Sequence, residues 1–313
     1  MSPYFYHVRV NTEYTLSDKN LAKDSWRMVI NLSRYRWVLI GMALLLGAGC
    51  LALVMCTPSK QRPSHPNKPT VEHGRYITWQ EVNRIFPRYA KATIIDFDTG
   101  KSFKVQRRAG SRHADVQPLT AGDTAIMKDI YNGQWSWRRR AVILTLADGS
   151  KIAASMAGMP HGAGAIRGNR FNGHFCLHFR DSKTHGSGQV DTAHQMMIWK
   201  SAGILDKKLS TLPARQIIMT FFTALGQGDK TITSRMVSPA DIPALIEDID
   251  SIESIRINSI KESSSQEYQV SLRVTYTGNH HPVIRTGSAL VPVAEGGLID
   301  YSSLRAWLMP PKS

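Results

Sequence analysis

One stretch constrains this chain more than any other. From Trp37 to Met55 it reads WVLIGMALLLGAGCLALVM, with no charged residue in 19. At about 1.5 Å per residue that run makes a helix of roughly 28 Å, close to the thickness of a bilayer core. Soluble buried helices rarely stay apolar on every face for so long. A cleaved signal peptide has a shorter apolar core and a far shorter charged head than the 36 residues found here. Gly47-Ala48-Gly49-Cys50 has a faint likeness to a lipoprotein cleavage site, but its leading Gly and the continuing run Leu51–Met55 argue against one.

Flanking charge sets the expected orientation. Arg9, Lys19, Lys23, Arg27, Arg34 and Arg36 precede the span, and Lys60, Arg62 and Lys68 follow it. The bias puts the N-terminus inside, as a cytoplasmic segment 1–36, a transmembrane helix 37–55 and a linker 56–75. The linker core, TPSKQRPSHPNKP, is too rich in Pro, Ser and Lys to pack. The expected location is the cell membrane, single-pass, with the C-terminal domains extracytoplasmic. With 39 Lys and Arg against 24 Asp and Glu the chain carries +15. It has no interleaved aromatic and basic motif of the kind that binds nucleic acid, so an anionic lipid or wall polymer is the more natural partner. A solvated basic surface with no dedicated partner explains the charge equally well.

The remainder divides into a β-rich part, 76–206, and an α+β part, 207–313. Thr78-Trp79-Gln80-Glu81 is a capping box for a short helix through Ile85, stopped by Pro87. Ala92–Asp98 and Ser102–Arg107 flank Thr99-Gly100 as a hairpin, and Ala141–Leu146 and Lys151–Met156 flank Asp148-Gly149 as another. Thr120–Tyr131 has helical character, and Asp191 caps a helix to Ser201. Beyond Leu209, apolar periodicity predicts helices over Leu212–Leu225 and Pro239–Ile249. Three strand-like stretches follow, Ser254–Ser259, Tyr268–Thr277 and Arg285–Val293.

Of three cysteines, Cys50 and Cys56 lie in or at the end of the apolar run, which leaves Cys176 alone in the rest. A lone thiol there is either an inert buried residue or a reactive one. Its neighbourhood, MPHGAGAIRGNRFNGHFCLHFRDSKTHG over 159–186, is dense in His and Gly. On a strand His174, Cys176 and His178 share a face. His161 lies 15 residues upstream of Cys176, far enough for a loop to bring it back. An imidazole beside a thiol can take its proton and make it a nucleophile.

This stretch resembles the catalytic segment of the L,D-transpeptidases, the YkuD-like cysteine enzymes. Met159-Pro160-His161-Gly162 is similar to their first element and Gly173-His174-Phe175-Cys176-Leu177-His178 to their second, in register. The likeness is sharp over 159–178 and covers at best 90–205. It implies a mostly-β domain in which Cys176 attacks a peptidoglycan stem peptide, His161 acts as base and His174 shapes the site. Backbone N–H groups near Cys176 would form the oxyanion hole. Substrate contacts are expected from Gly162, His178, Arg180 and His185. Phe175, His178 and Gly173 stand where that family has Gly, Arg and Ser. Residues 209–313 resemble the ketosteroid-isomerase-like (cystatin-like) cone fold by pattern alone.

The fold expected is therefore a membrane-anchored two-domain protein, with an L,D-transpeptidase-like β domain and an α+β accessory domain, acting on the cell wall through a Cys-His pair. No cofactor is expected. Two alternatives compete. One is a non-catalytic wall-binding or scaffold protein. The other is a zinc-dependent wall hydrolase using His113, Asp115, His174 and His178. Trp135-Ser136-Trp137-Arg138-Arg139-Arg140 reads as half-buried aromatics with solvated arginines, or as a polymer-binding edge.

Overall fold

The computed structural model describes residues 72–309, apart from 265 and 278–282. The first two helices start by the same device. At α1 (Trp79–Ile85) the Thr78 hydroxyl accepts from the Glu81 N–H, while the Glu81 carboxylate accepts from the Thr78 N–H. Thr120 and Asp123 repeat the reciprocal cap at α2 (Ala121–Ile130). Each box satisfies N–H groups that a helix start otherwise leaves unpaired.

Six antiparallel strands close a barrel in the order β1-β2-β3-β6-β5-β4, with β4 returning to β1. They are β1 (Lys91–Asp96), β2 (Ser102–Ala109), β3 (Ala114–Pro118), β4 (Arg139–Thr145), β5 (Lys151–Ala157) and β6 (Phe175–His178). Both expected hairpins form, with Ile94 opposite Phe103 and Ile143 opposite Ala153. Alternate residues fill the interior: Ile94, Phe103, Val105, Val116, Leu144, Phe175 and Leu177 are all buried there.

The C-terminal part is an α+β domain. Helix α5 (Ala214–Gln227) lays Ile217, Ile218, Phe221, Phe222 and Leu225 into a second core. That core is completed by a three-stranded antiparallel sheet, β7 (Ile252–Ser264), β8 (Glu267–Tyr276) and β9 (Val283–Pro292), and by α8 (Tyr301–Leu308). Shorter helices α4 (Leu205–Leu209), α6 (Lys230–Ser234) and α7 (Ile242–Asp248) link these pieces. Helix α3 (Thr192–Ser201), capped by Asp191 as expected, packs on β4 and β5 and also on α5. Its Met196 and Met197 belong to the second core. The described residues accordingly belong to one compact unit.

The single-pass topology is corrected. Among the described residues no helix is long and apolar enough to cross a membrane. The longest helix of the C-terminal domain, α5, has 14 residues and spans about 21 Å, short of a roughly 30 Å bilayer core. The run Trp37–Met55 lies outside the described residues. What stands of the expected fold class is a β-barrel followed by an α+β domain; the anchor and the cell-membrane location are not carried forward.

A buried lysine ties the two parts together. Lys200 on α3 donates to Asp229 at 2.7 Å and lies 2.9 Å from Asp98 at the β1–β2 turn. Burial works to lower its pKa, but the two carboxylates outweigh burial and raise it above 10.5. A raised pKa means stability that is complete below the ordinary lysine value and is lost as pH climbs through the folded one. Lys200→Met, which strands two carboxylates, should cost about 3 kcal/mol in urea unfolding at neutral pH. The loss should shrink above pH 10.5 as wild type forfeits the same pairing. An equal loss at every pH would refute this assignment.

Candidate active site

The site begins with strand pairing. β3 runs antiparallel to β6 with Asp115 opposite Cys176 and Val116 opposite Phe175. Val116, Phe175 and Leu177 point into the barrel core, so Asp115, Cys176 and His178 alternate to its outer face. Asp115 and Cys176 are thus cross-strand neighbours in a water-poor place, both less than a tenth exposed.

The glycine-rich loop between β5 and β6 returns His161 to the thiol. His161 and His174 exchange backbone hydrogen bonds, N–H to carbonyl, at 2.9 and 2.8 Å. Gln117, two residues along β3 from Asp115, clamps the same loop. Its amide donates to the Gly173 carbonyl at 2.6 Å and its oxygen accepts from Ala165 N–H at 2.8 Å. Gly173 has φ +118°, and a Cβ there would lie 2.5 Å from the His161 carbonyl oxygen. Only glycine permits both the backbone angle and that approach.

His161 Nε2 stands 3.2 Å from Cys176 Sγ. The other ring nitrogen, Nδ1, lies 2.9 Å from the Met159 carbonyl. A carbonyl only accepts, so the proton sits on Nδ1 and Nε2 offers its lone pair to the thiol. Burial lowers the His161 pKa, aided by His174 and His185 and opposed by the Met159 hydrogen bond and Asp115. Burial, joined by Asp115, pushes the Cys176 thiol up to about 12. The resting pair is therefore a neutral thiol donating to a neutral imidazole rather than a thiolate–imidazolium pair.

Three more imidazoles surround Asp115. Its Oδ1 lies 3.1 Å from Nε2 of His113, 3.1 Å from Nε2 of His185 and 3.8 Å from Nε2 of His174. Burial alone would raise the Asp115 pKa; His113, His174 and His185 together hold it below the usual carboxylate value. His113 Nδ1–H donates to the Lys183 carbonyl at 2.7 Å, and His174 Nδ1–H to that of Ala163 at 3.0 Å.

The residues singled out in the sequence fall into three groups. Cys176, His161, His174 and His185 converge, with Gly162 beneath the His174 ring. His178 is buried behind them, its ring stacked between His113 at 4.5 Å and His194 at 3.7 Å. Burial, aided by its cationic and imidazole neighbours, keeps it well below the ordinary histidine pKa. Arg180 turns away, pairing with Asp181 at 3.2 Å and lying over the Tyr76 ring. Of the alternative metal set, His113 and Asp115 come together with Cys176 and His185; His174 groups with His161 and His185, and His178 joins neither set. Trp137, half exposed, puts its ring 5.3 Å from that of His161 and so forms a wall of the site. Gln117 was not legible as a site residue; its alternation with Asp115 in His113-Ala114-Asp115-Val116-Gln117 was the available signal.

No protein-family model matches the chain, and no curated protein is significantly similar to it. The likeness of 159–178 to the L,D-transpeptidase segment therefore rests on its own residues. Peptidoglycan or a wall polymer as partner, and transpeptidase activity, are withdrawn: they followed from that likeness together with a membrane-anchored location, and neither a spanning helix among the described residues nor a related protein supports them.

Gly173→Ala should leave the barrel folded while prising His161 from the thiol. Far-ultraviolet circular dichroism should be unchanged, and the imidazole signal of His161 should lose its response to alkylation of Cys176. An intact response would show that the loop tolerates a Cβ.

Proposed function

We propose that this protein is a cysteine hydrolase whose nucleophile is Cys176 and whose general base is His161. The observation that carries the reading is the 3.2 Å approach of His161 Nε2 to Cys176 Sγ, with the ring's other nitrogen committed to the Met159 carbonyl. That arrangement leaves Nε2 free to accept the thiol proton, which is the requirement for activating a thiol that rests protonated.

The reaction then follows simple proton accounting. Sγ bonds to an acyl carbonyl carbon as its proton moves to His161 Nε2. The imidazolium returns that proton to the leaving amine or alcohol as the carbonyl carbon's bond to it breaks, leaving a thioester on Cys176. His161 next takes a proton from water, the hydroxyl adds to the thioester carbon, and the released sulfur recovers the proton. Asp115, buried and flanked by imidazoles, adds negative charge that favours imidazolium over imidazole during the transfer. The tilted Trp137 ring offers an apolar surface for the acyl group beside the base. The resemblance of 159–178 to the L,D-transpeptidase segment supports the same pair of roles for His161 and Cys176.

An activated ester such as p-nitrophenyl acetate tests the reading without knowledge of the natural substrate. Wild type should release a burst of p-nitrophenol and carry one acetyl group on the peptide containing Cys176. Cys176→Ala should abolish the acetyl group, and His161→Gln should slow its formation by about 10²-fold or more. A wild-type protein that stays unacetylated at Cys176 would remove the proposal.

A further inference from the structure

Beside the thiol–imidazole pair lies a second arrangement that the hydrolase chemistry does not use. His113 Nε2, an Asp115 carboxylate oxygen, His185 Nε2 and Cys176 Sγ all lie within 4.8 Å of one another. Both His nitrogens are 3.1 Å from the same Asp115 oxygen. Ligands about 2.0–2.3 Å from a tetrahedral ion stand roughly 3.3–3.7 Å apart, so closing this set around an ion needs side-chain shifts of about 1 Å.

His113 gives the independent pointer. It is 1 % exposed, and its Nδ1–H is committed to the Lys183 carbonyl, so in the neutral ring Nε2 carries a lone pair. That nitrogen has no hydrogen-bond partner, although a carboxylate oxygen sits 3.1 Å away. A lone pair facing a carboxylate is repulsive unless something positive lies between them. A proton on Nε2 would lie in the ring plane and would not close a well-formed hydrogen bond to Asp115. An ion is under no such restriction, because it sits where the lone-pair directions of all its donors cross. A ligating imidazole whose other nitrogen donates to a backbone carbonyl is the usual outer-shell arrangement of a metal site. His174 Nε2, 3.8 Å from the same Asp115 oxygen, is likewise without a partner.

We infer that His113, Asp115, His185 and Cys176 form a site for a divalent ion of the zinc class, and that a bound ion holds the nucleophile as a ligand and so switches it off. Two imidazoles, a carboxylate and a thiolate make a donor set suited to a borderline-soft tetrahedral ion rather than to magnesium or calcium. Binding forms a bond from sulfur to the ion and releases the thiol proton to solvent, while the Nε2 proton that His185 donates to Asp115 moves to its Nδ1 and frees Nε2 for the ion. Sulfur then has no proton for His161 and no free lone pair aimed at a substrate. The exposed His185, on the loop over 181–190, is the ligand through which an ion would arrive and leave. The inhibitory consequence rests on the reading of Cys176 as a nucleophile; the site itself does not.

The test uses the full chain with Cys50→Ser and Cys56→Ser, which leaves Cys176 as its only thiol. Titration of the metal-free protein with zinc should give one bound ion and released protons. Cobalt should give a thiolate-to-cobalt charge-transfer band in the near ultraviolet. Zinc should slow alkylation of Cys176 by iodoacetamide at least 10-fold, with recovery on adding a chelator. Asp115→Asn and, at the exposed position, His185→Gln should each weaken zinc binding by about 100-fold or more. Absence of stoichiometric zinc, or zinc that binds without a cobalt–thiolate band, would overturn the site. A Cys176 that binds cobalt yet never acylates when metal-free would instead leave the site standing and sink the hydrolase.

Discussion

The register of β3 against β6 is the constraint on which the site depends. With Asp115 set opposite Cys176, every outward residue of the two short strands faces one small volume, and every inward one fills the barrel. A slip of one residue would turn the carboxylate and the thiol into the apolar interior and bring Val116 and Phe175 out. The cost of such a slip, two polar groups desolvated and two large apolar ones exposed, amounts to several kcal/mol. The site's alignment and the barrel's packing are therefore enforced by the same alternation.

Into that volume the chain directs a carboxylate, a thiol and four imidazoles, and the electrostatics follow from how little water reaches them. Burial disfavours every charged form. Cys176 stays a thiol, and His178 and His194 stay neutral behind it. Asp115 alone keeps its charge, because imidazoles on three sides outweigh its desolvation. A fixed negative charge buried beside a thiol favours any positive partner that can reach it. A proton moving from sulfur to His161 supplies one transiently, and a bound ion would supply one lastingly.

What could be read ahead of the structure followed local physics. Thr78 and Thr120 announce their helices because a capping box is written within four residues, and Thr99-Gly100 and Asp148-Gly149 announce hairpins because turn chemistry is local. The meeting of His161 with Cys176 was legible too, through spacing and resemblance. Strand β3 was not. Its outer face carries Asp115 and Gln117, which look like loop residues until the loops that cover them are in place, and Pro118 ends it after five residues. Helix α8 was missed because Tyr301–Leu308 is short and its apolar stripe has meaning only against the sheet. His178 illustrates the opposite error. Period-two alternation put it on the thiol's face, but a strand pattern says nothing about the helix that covers it, and His194 on α3 stacks over it.

Helix α3 has a consequence for how the molecule is made. One side of it closes over β4 and β5 and supports the stacked imidazoles, while Met196 and Met197 on its other side need α5 and the sheet beyond. During synthesis the strands, the thiol and α3 itself emerge well before that sheet. At about 5–20 residues per second the ribosome takes on the order of ten seconds to deliver it. For that interval α3 has an apolar flank with nothing to cover it, and its hold on the imidazole stack is incomplete. The nascent chain thus carries its reactive sulfur through a period in which the pocket is unfinished, and the last hundred residues act as the clasp that completes it.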